Sequence, residues 1–114
     1  MSWIDAHIHL WTKEVDQFPL AEGMTAADLD PPDFTPEMYL EQATPAGIDR
    51  TIIVQTGYHQ FDNSYGLDAV ERMPDRFRLI GIVDESRENV QEEMEALRAR
   101  GVGGFRIGAE YDGP

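Results

Sequence analysis

The chain has 114 residues, 41% of them apolar, which is room for one small domain with a core of its own. Twenty-two Asp and Glu against nine Lys and Arg leave a formal net charge of −13, so nucleic acid and anionic membrane surfaces are poor partners for the fold as a whole. With no cysteine, disulfides, iron–sulfur clusters and thiolate zinc sites are excluded.

Residues Trp3 to Leu10 alternate, with Ile4, Ala6, Ile8 and Leu10 on one face and Trp3, Asp5, His7 and His9 on the other. Period two predicts a strand with one apolar and one polar face. The N-terminus carries neither a basic n-region nor a long apolar run, so it reads as neither a signal peptide nor a membrane span. The expectation is a soluble, cytoplasmic protein. From Trp11 to Phe34 no period emerges, and between Glu14 and Glu37 there are seven acids and no base. So long a connection is ordinarily a lid, a binding loop or a disordered segment.

Thr35-Pro36-Glu37 predicts a helix start, with Thr35 as N-cap and Pro36 in the first turn, and Pro45 and Gly47 stop it near Thr44. The β-branched run Thr51 to Thr56 predicts a strand buried on both faces. Asp62 or Asn63 caps a second helix to about Met73. Phe77 to Val83 predicts a third strand. Ser86 is placed as cap of a third helix whose inner stripe is Val90, Met94 and Leu97, ended by Gly101. Gly103 to Ile107 is the fourth strand, and Tyr111 to Pro114 trails off as a loop.

The order β-α-β-α-β-α-β predicts right-handed crossovers and a parallel sheet. Both a doubly wound sheet and the first half of a TIM barrel satisfy it, and periodicity does not choose between them.

Two histidines two apart on a strand send both imidazoles the same way, close enough to share one metal ion. They lie at the C-terminal end of the strand, where parallel α/β folds keep their active sites. Two uncoordinated histidines in a barrel mouth is the plainer reading, and spacing alone leaves both open. Arg106, ending the fourth strand, can hold a substrate carboxylate in a bidentate pair or form a salt bridge to one of the many acids. Gln55, ending the second strand, can hydrogen-bond a substrate or cap a loop. His59, in the loop after that strand, is a third substrate-binding candidate, with simple solvation as its alternative. Asp84 either faces the site or caps the helix of Ser86. Asp5, sharing the His7 face, orients a ligand or a neighbouring strand. The glycines at 101, 103 and 104 precede a strand instead of opening a helix, so they make no dinucleotide fingerprint.

Ile4-Asp5-Ala6-His7-Ile8-His9-Leu10-Trp11 resembles the opening of the amidohydrolase-related (amidohydrolase 2) family of metal-dependent hydrolases, in the branch that also holds sugar-lactone and dicarboxylate lactonases. The likeness continues through Thr35-Pro36-Glu37, Ala46-Gly47-Ile48-Asp49-Arg50 leading into Ile52 to Gln55, Asp62 to Tyr65, Pro74 to Phe77, and Arg100 to Arg106. It therefore runs through nearly the whole chain in order.

The resemblance implies a TIM barrel of which residues 1–114 form a partial domain, since a complete barrel takes about 250 residues. It implies His7 and His9 as first-strand ligands of a divalent metal, zinc foremost. Further histidines from later strands and a late aspartate would complete that site. The implied chemistry is attack of metal-activated water on an amide, lactone or related carbonyl. No catalytic residue is assigned within these 114 residues, so the chain is expected to be inactive alone. Two other expectations stand beside this: a half-barrel that self-associates as a homodimer through open sheet edges, and a small α/β module that binds a ligand without catalysis.

Overall fold

The computed structural model describes residues 2–106. Four strands alternate with three helices: β1 (Trp3–Ile8), α1 (Pro36–Ala43), β2 (Ile48–Val54), α2 (Ser64–Arg72), β3 (Phe77–Ile82), α3 (Val90–Ala99) and β4 (Val102–Arg106). The strands form one sheet in the order β1-β2-β3-β4, every neighbouring pair parallel. That order settles what periodicity left open. A doubly wound sheet reverses its strand order at a switch point. Sequential order with right-handed crossovers instead keeps all the helices on one face, as in a barrel.

Local chemistry explains most boundaries. Thr35 accepts the Met38 amide at 3.2 Å and Pro36 follows as the first helical residue. Gly47 and Gly101, at φ +83° and +115°, turn the chain after α1 and α3 in the left-handed region where a Cβ is unwelcome. The core lies between sheet and helices, with Leu67, Ala69, Phe77, Leu79, Ile53 and Val102 buried together. Each such Leu, Ile or Phe contributes about 1.5–3 kcal/mol through burial. α2 sits so close to β3 that a Cβ built on Gly66 would lie 2.7 Å from a methyl carbon of Leu79.

Three expectations are corrected. The clean alternation of β1 is broken: Asp5 and Ile8, three apart, pair with Thr51 and Ile53, two apart on β2, so β1 carries an extra residue between them. Asp5 consequently turns to the helical layer, where its carboxylate accepts the Tyr39 hydroxyl at 3.1 Å, and it does not share the His7 face. Trp3 and Ile4, on the outer edge strand, are 57% and 59% exposed.

The third helix starts at Val90 with Asn89 before it. Ser86 instead closes a turn on Asp84, donating from its amide and its hydroxyl to one carboxylate oxygen. Asn63 occupies the N-cap position of α2 without capping it. Its amide pairs with β3, accepting from Ile82 N at 2.9 Å and donating to Ile82 O at 2.8 Å, while the Asp62 carboxylate receives Ser64. Short polar side chains have several backbone partners in reach, and the tertiary fold decides among them.

The long acidic connection is tied down. Trp11 and Phe34 bridge its two ends through paired 3.0 Å hydrogen bonds, and the Asp33 carboxylate accepts the Lys13 amide at 2.7 Å. It contains one short 3-10 turn, Ala26–Asp28. Among the described residues no helix is long and apolar enough to cross a membrane. Ile107, expected to end β4, and the loop Tyr111 to Pro114 lie outside the described residues.

Candidate functional site

The bulge turns Asp5 toward α1, while His7 and His9, two apart, converge. Their Nε2 atoms are 3.3 Å apart, with the rings edge to face at 90° and centroids 4.9 Å apart. His9 Nδ1 lies 2.7 Å from the carbonyl oxygen of Val54. A carbonyl only accepts, so Nδ1 carries the proton and Nε2 presents its lone pair. His7 is exposed and His9 half-buried. Two nitrogens each about 2.0–2.1 Å from a tetrahedral zinc lie about 3.3–3.4 Å apart. The pair therefore fits two positions of such an ion, although the same separation also suits an N–H···N hydrogen bond. No group of three or more His, Cys, Asp or Glu able to hold a metal occurs among the described residues.

The next carbonyl, just past the end of β2, receives Arg106 of β4. Arg106 Nη1 donates to the Gln55 carbonyl at 3.2 Å. The C-terminal end of β2 thus anchors His9 through residue 54 and Arg106 through residue 55. Arg106 is exposed and has no carboxylate partner among the described residues. It lines an open cleft of about 620 Å³ with Asp84, Ser86, Phe61 and Ile82. The Asp84 carboxyl is held below the ordinary carboxylate range, first by the Ser86 hydroxyl and amide, with Arg87 adding a smaller Coulombic share. Asp84 thus offers fixed negative charge at the cleft rim. Phe61 and Ile82, which the sequence does not mark as functional, add apolar lining. Their only signal was position, after β2 and at the end of β3.

Gln55 and His59 are buried, at 3% and 1% exposure. The Gln55 amide donates to the carbonyls of Gln60 and Asp62 at 3.0 and 2.7 Å, closing the loop after β2. Both ring nitrogens of His59 face backbone atoms of the acidic connection, Thr12 N at 3.3 Å and Pro19 O at 3.0 Å. The site thus brings His7, His9 and Arg106 to the strand ends, and sets Gln55 and His59 among the loops beneath.

A family model described as Amidohydrolase matches residues 4–113. Among characterised proteins, the chain is 39% identical over 103 residues to 4-sulfomuconolactone hydrolase of Rhizobium radiobacter, covering 90% of this chain and 32% of that protein. It is 31% identical to D-galactarolactone isomerase of Agrobacterium fabrum, covering 91% of this chain and 34% of the relative. Among solved structures it superimposes, at a TM-score of 0.73 and 24% identity, on a probable 2-pyrone-4,6-dicarboxylic acid hydrolase of Acinetobacter baumannii with citric acid bound. That match covers 94% of this chain and 38% of the other and bears on fold alone. An apo protein of Agrobacterium tumefaciens matches at a TM-score of 0.64 and 30% identity, covering 91% and 36%. The chain spans about a third of the length of the curated relatives it matches.

Proposed function

The chain belongs to the amidohydrolase family, and from that premise we propose that it forms the first four strands of a barrel hydrolase that opens an anionic lactone. The observation that carries this reading is the 3.3 Å approach of the two Nε2 atoms, with the His9 tautomer fixed by Val54. Relatives named for lactones agree with it: a sulfomuconolactone hydrolase and a galactarolactone isomerase.

His7 and His9 would hold a divalent ion, zinc by the nitrogen donor set and spacing. When bound, such an ion supplies an acidified water and polarises a carbonyl oxygen. The chain's own residues do the rest at this end of the barrel. The Val54 carbonyl keeps the His9 proton on Nδ1, so that its other nitrogen stays a donor of electrons. Arg106 has no carboxylate partner among the described residues and lies beside the cleft, where it can pair with a carboxylate or sulfonate on the substrate. Phe61 and Ile82 give the lactone ring an apolar wall.

Gln55 and His59 remain in this reading as substrate-binding residues only through the loops they shape. The acid–base group is proposed to come from later strands, and residues 1–114 alone are proposed to be inactive. A cytoplasmic setting fits the cysteine-free composition.

The test is opening of a carboxylate-bearing lactone by the full barrel polypeptide containing these residues. Turnover is expected to fall on chelation and with His9→Ala. Full turnover after both treatments contradicts the reading.

A second reading has an observation in its favour: Trp3 and Ile4 are more than half exposed on the open edge of β1. Edges of this kind recruit strands, and a homodimer through them predicts twice the chain mass in light scattering. A monomer of single-chain mass removes it.

A further inference from the structure

Among the described residues, His59 is the most deeply buried titratable side chain, and a role in touching substrate leaves its surroundings unexplained. Thr12 N is a donor only, so the Nε2 that faces it at 3.3 Å must offer a lone pair. The Pro19 carbonyl is an acceptor only, so Nδ1, 3.0 Å away, must carry the proton. Both nitrogens are thereby engaged within the chain. The ring also packs near Tyr65, with centroids 5.8 Å apart.

We propose that His59 is a positioning residue: as the neutral Nδ1–H tautomer it fastens the β1–α1 connection to the loop after β2 and so sets one wall of the cavity that adjoins the cleft at Gln60, Phe61 and Asp84. Two points of the connection are held at once. Thr12 follows His9 by three residues, so the first bond fixes the chain as it leaves the histidine pair. Pro19 precedes Leu20, Ala21 and Glu22, which line a cavity of about 390 Å³ together with Gln60 and Asp62. A backbone bond from Ala21 N to Tyr58 O, at 2.8 Å, continues the same seam. Trp11 packs edge-on against Tyr58, with centroids 5.4 Å apart, at its other end. The inference stands on the buried geometry and does not depend on the proposed hydrolysis.

Nitrogen-15 NMR of the 114-residue protein reads the tautomer directly. His59 is expected to show a protonated Nδ1 and a bare Nε2. A proton on Nε2, or averaging between tautomers, overturns the proposal. Hydrogen exchange supplies the second readout. His59→Phe keeps a ring and removes both bonds, and it should speed exchange of the Thr12 amide about tenfold, the scale of one net hydrogen bond. His59→Gln, whose carboxamide carries both N–H donors and a carbonyl acceptor, should restore most of that protection, with Leu79 equally protected in all three proteins. Unchanged Thr12 exchange in the Phe variant overturns the proposal, as does a Gln variant no slower than Phe. Should the Phe variant fail to fold, the tautomer of the wild-type ring decides.

Discussion

His7 Nε2 and His9 Nε2 stand 3.3 Å apart, closer than their separation along β1 would suggest for side chains free to diverge. Residues two apart on an extended chain send their side chains the same way, and the bulge removes Asp5 from that face. The extra residue between Asp5 and Ile8 lets both of these face the helices. Val54 then holds the second ring by its Nδ1 proton. Alternation brings the two rings together, and one neighbouring carbonyl orients the second.

The trio of half-buried Asp5 and buried Tyr39 and Thr51 ties β1, α1 and β2 together. Tyr39 Oη lies 3.1 Å from Asp5 Oδ2 and 2.9 Å from Thr51 Oγ1. Tyr39→Phe keeps the ring and strands both partners, so unfolding in urea should show a loss of about 1–3 kcal/mol. A loss near zero would mean that water replaces the hydroxyl.

Alkaline unfolding has a predicted window. The Tyr65 hydroxyl is pushed from an ordinary 10.0 up to about 12, chiefly by burial, with Glu37 and Asp33 adding repulsion. The folded state thus binds the proton more tightly than the unfolded state. This contribution is fully present below pH 10 and is lost as pH rises toward 12. Stability followed by circular dichroism should fall across that interval, and Tyr65→Phe should flatten the fall.

Gly66→Ala gains helix propensity of about 1 kcal/mol but drives a Cβ to 2.7 Å from the fully buried Leu79. Overpacking of this kind costs about 1–3 kcal/mol. A net destabilisation of about 1 kcal/mol is expected in thermal or urea unfolding. A stabilised variant would show that α2 moves off the sheet readily.

Much of this was legible beforehand, and the failures share a cause. Helix starts at Pro36 and stops at Gly47 and Gly101 follow from local chemistry, so sequence shows them. The bulge in β1 does not, because inserting one residue leaves a period-two pattern looking intact. Asn63 and Ser86 sit where helix caps belong, yet Asn63 finds Ile82 nineteen residues away and Ser86 finds Asp84. For Gln55 the sequence leaves a substrate contact and a loop cap both open, and for His59 a substrate contact and solvation. Their donors and acceptors turn back onto loops whose paths no local signal announces. His7, His9 and Arg106 were legible as candidates because strand ends in parallel sheets place side chains in a common mouth.

Arg106 carries a prediction about the full barrel. Replacing it with Gln removes the guanidinium and should raise KM for a carboxylate- or sulfonate-bearing lactone by about 10–100-fold, the worth of one charged hydrogen-bonded pair. A neutral lactone should be affected little. An equal effect on both would assign Arg106 to shaping the β2 end through Gln55.

The histidine pair offers the most direct test of the whole account. Zinc should be titrated into the 114-residue protein with the ring nitrogens observed by nitrogen-15 NMR. His7 and His9 Nε2 are expected to shift together and saturate at one ion per chain, and either His7→Ala or His9→Ala should abolish the effect on the other ring. His59 should not respond. Zinc that perturbs neither ring, or one ring without the other, would contradict the reading of these two residues as joint ligands of a hydrolase metal.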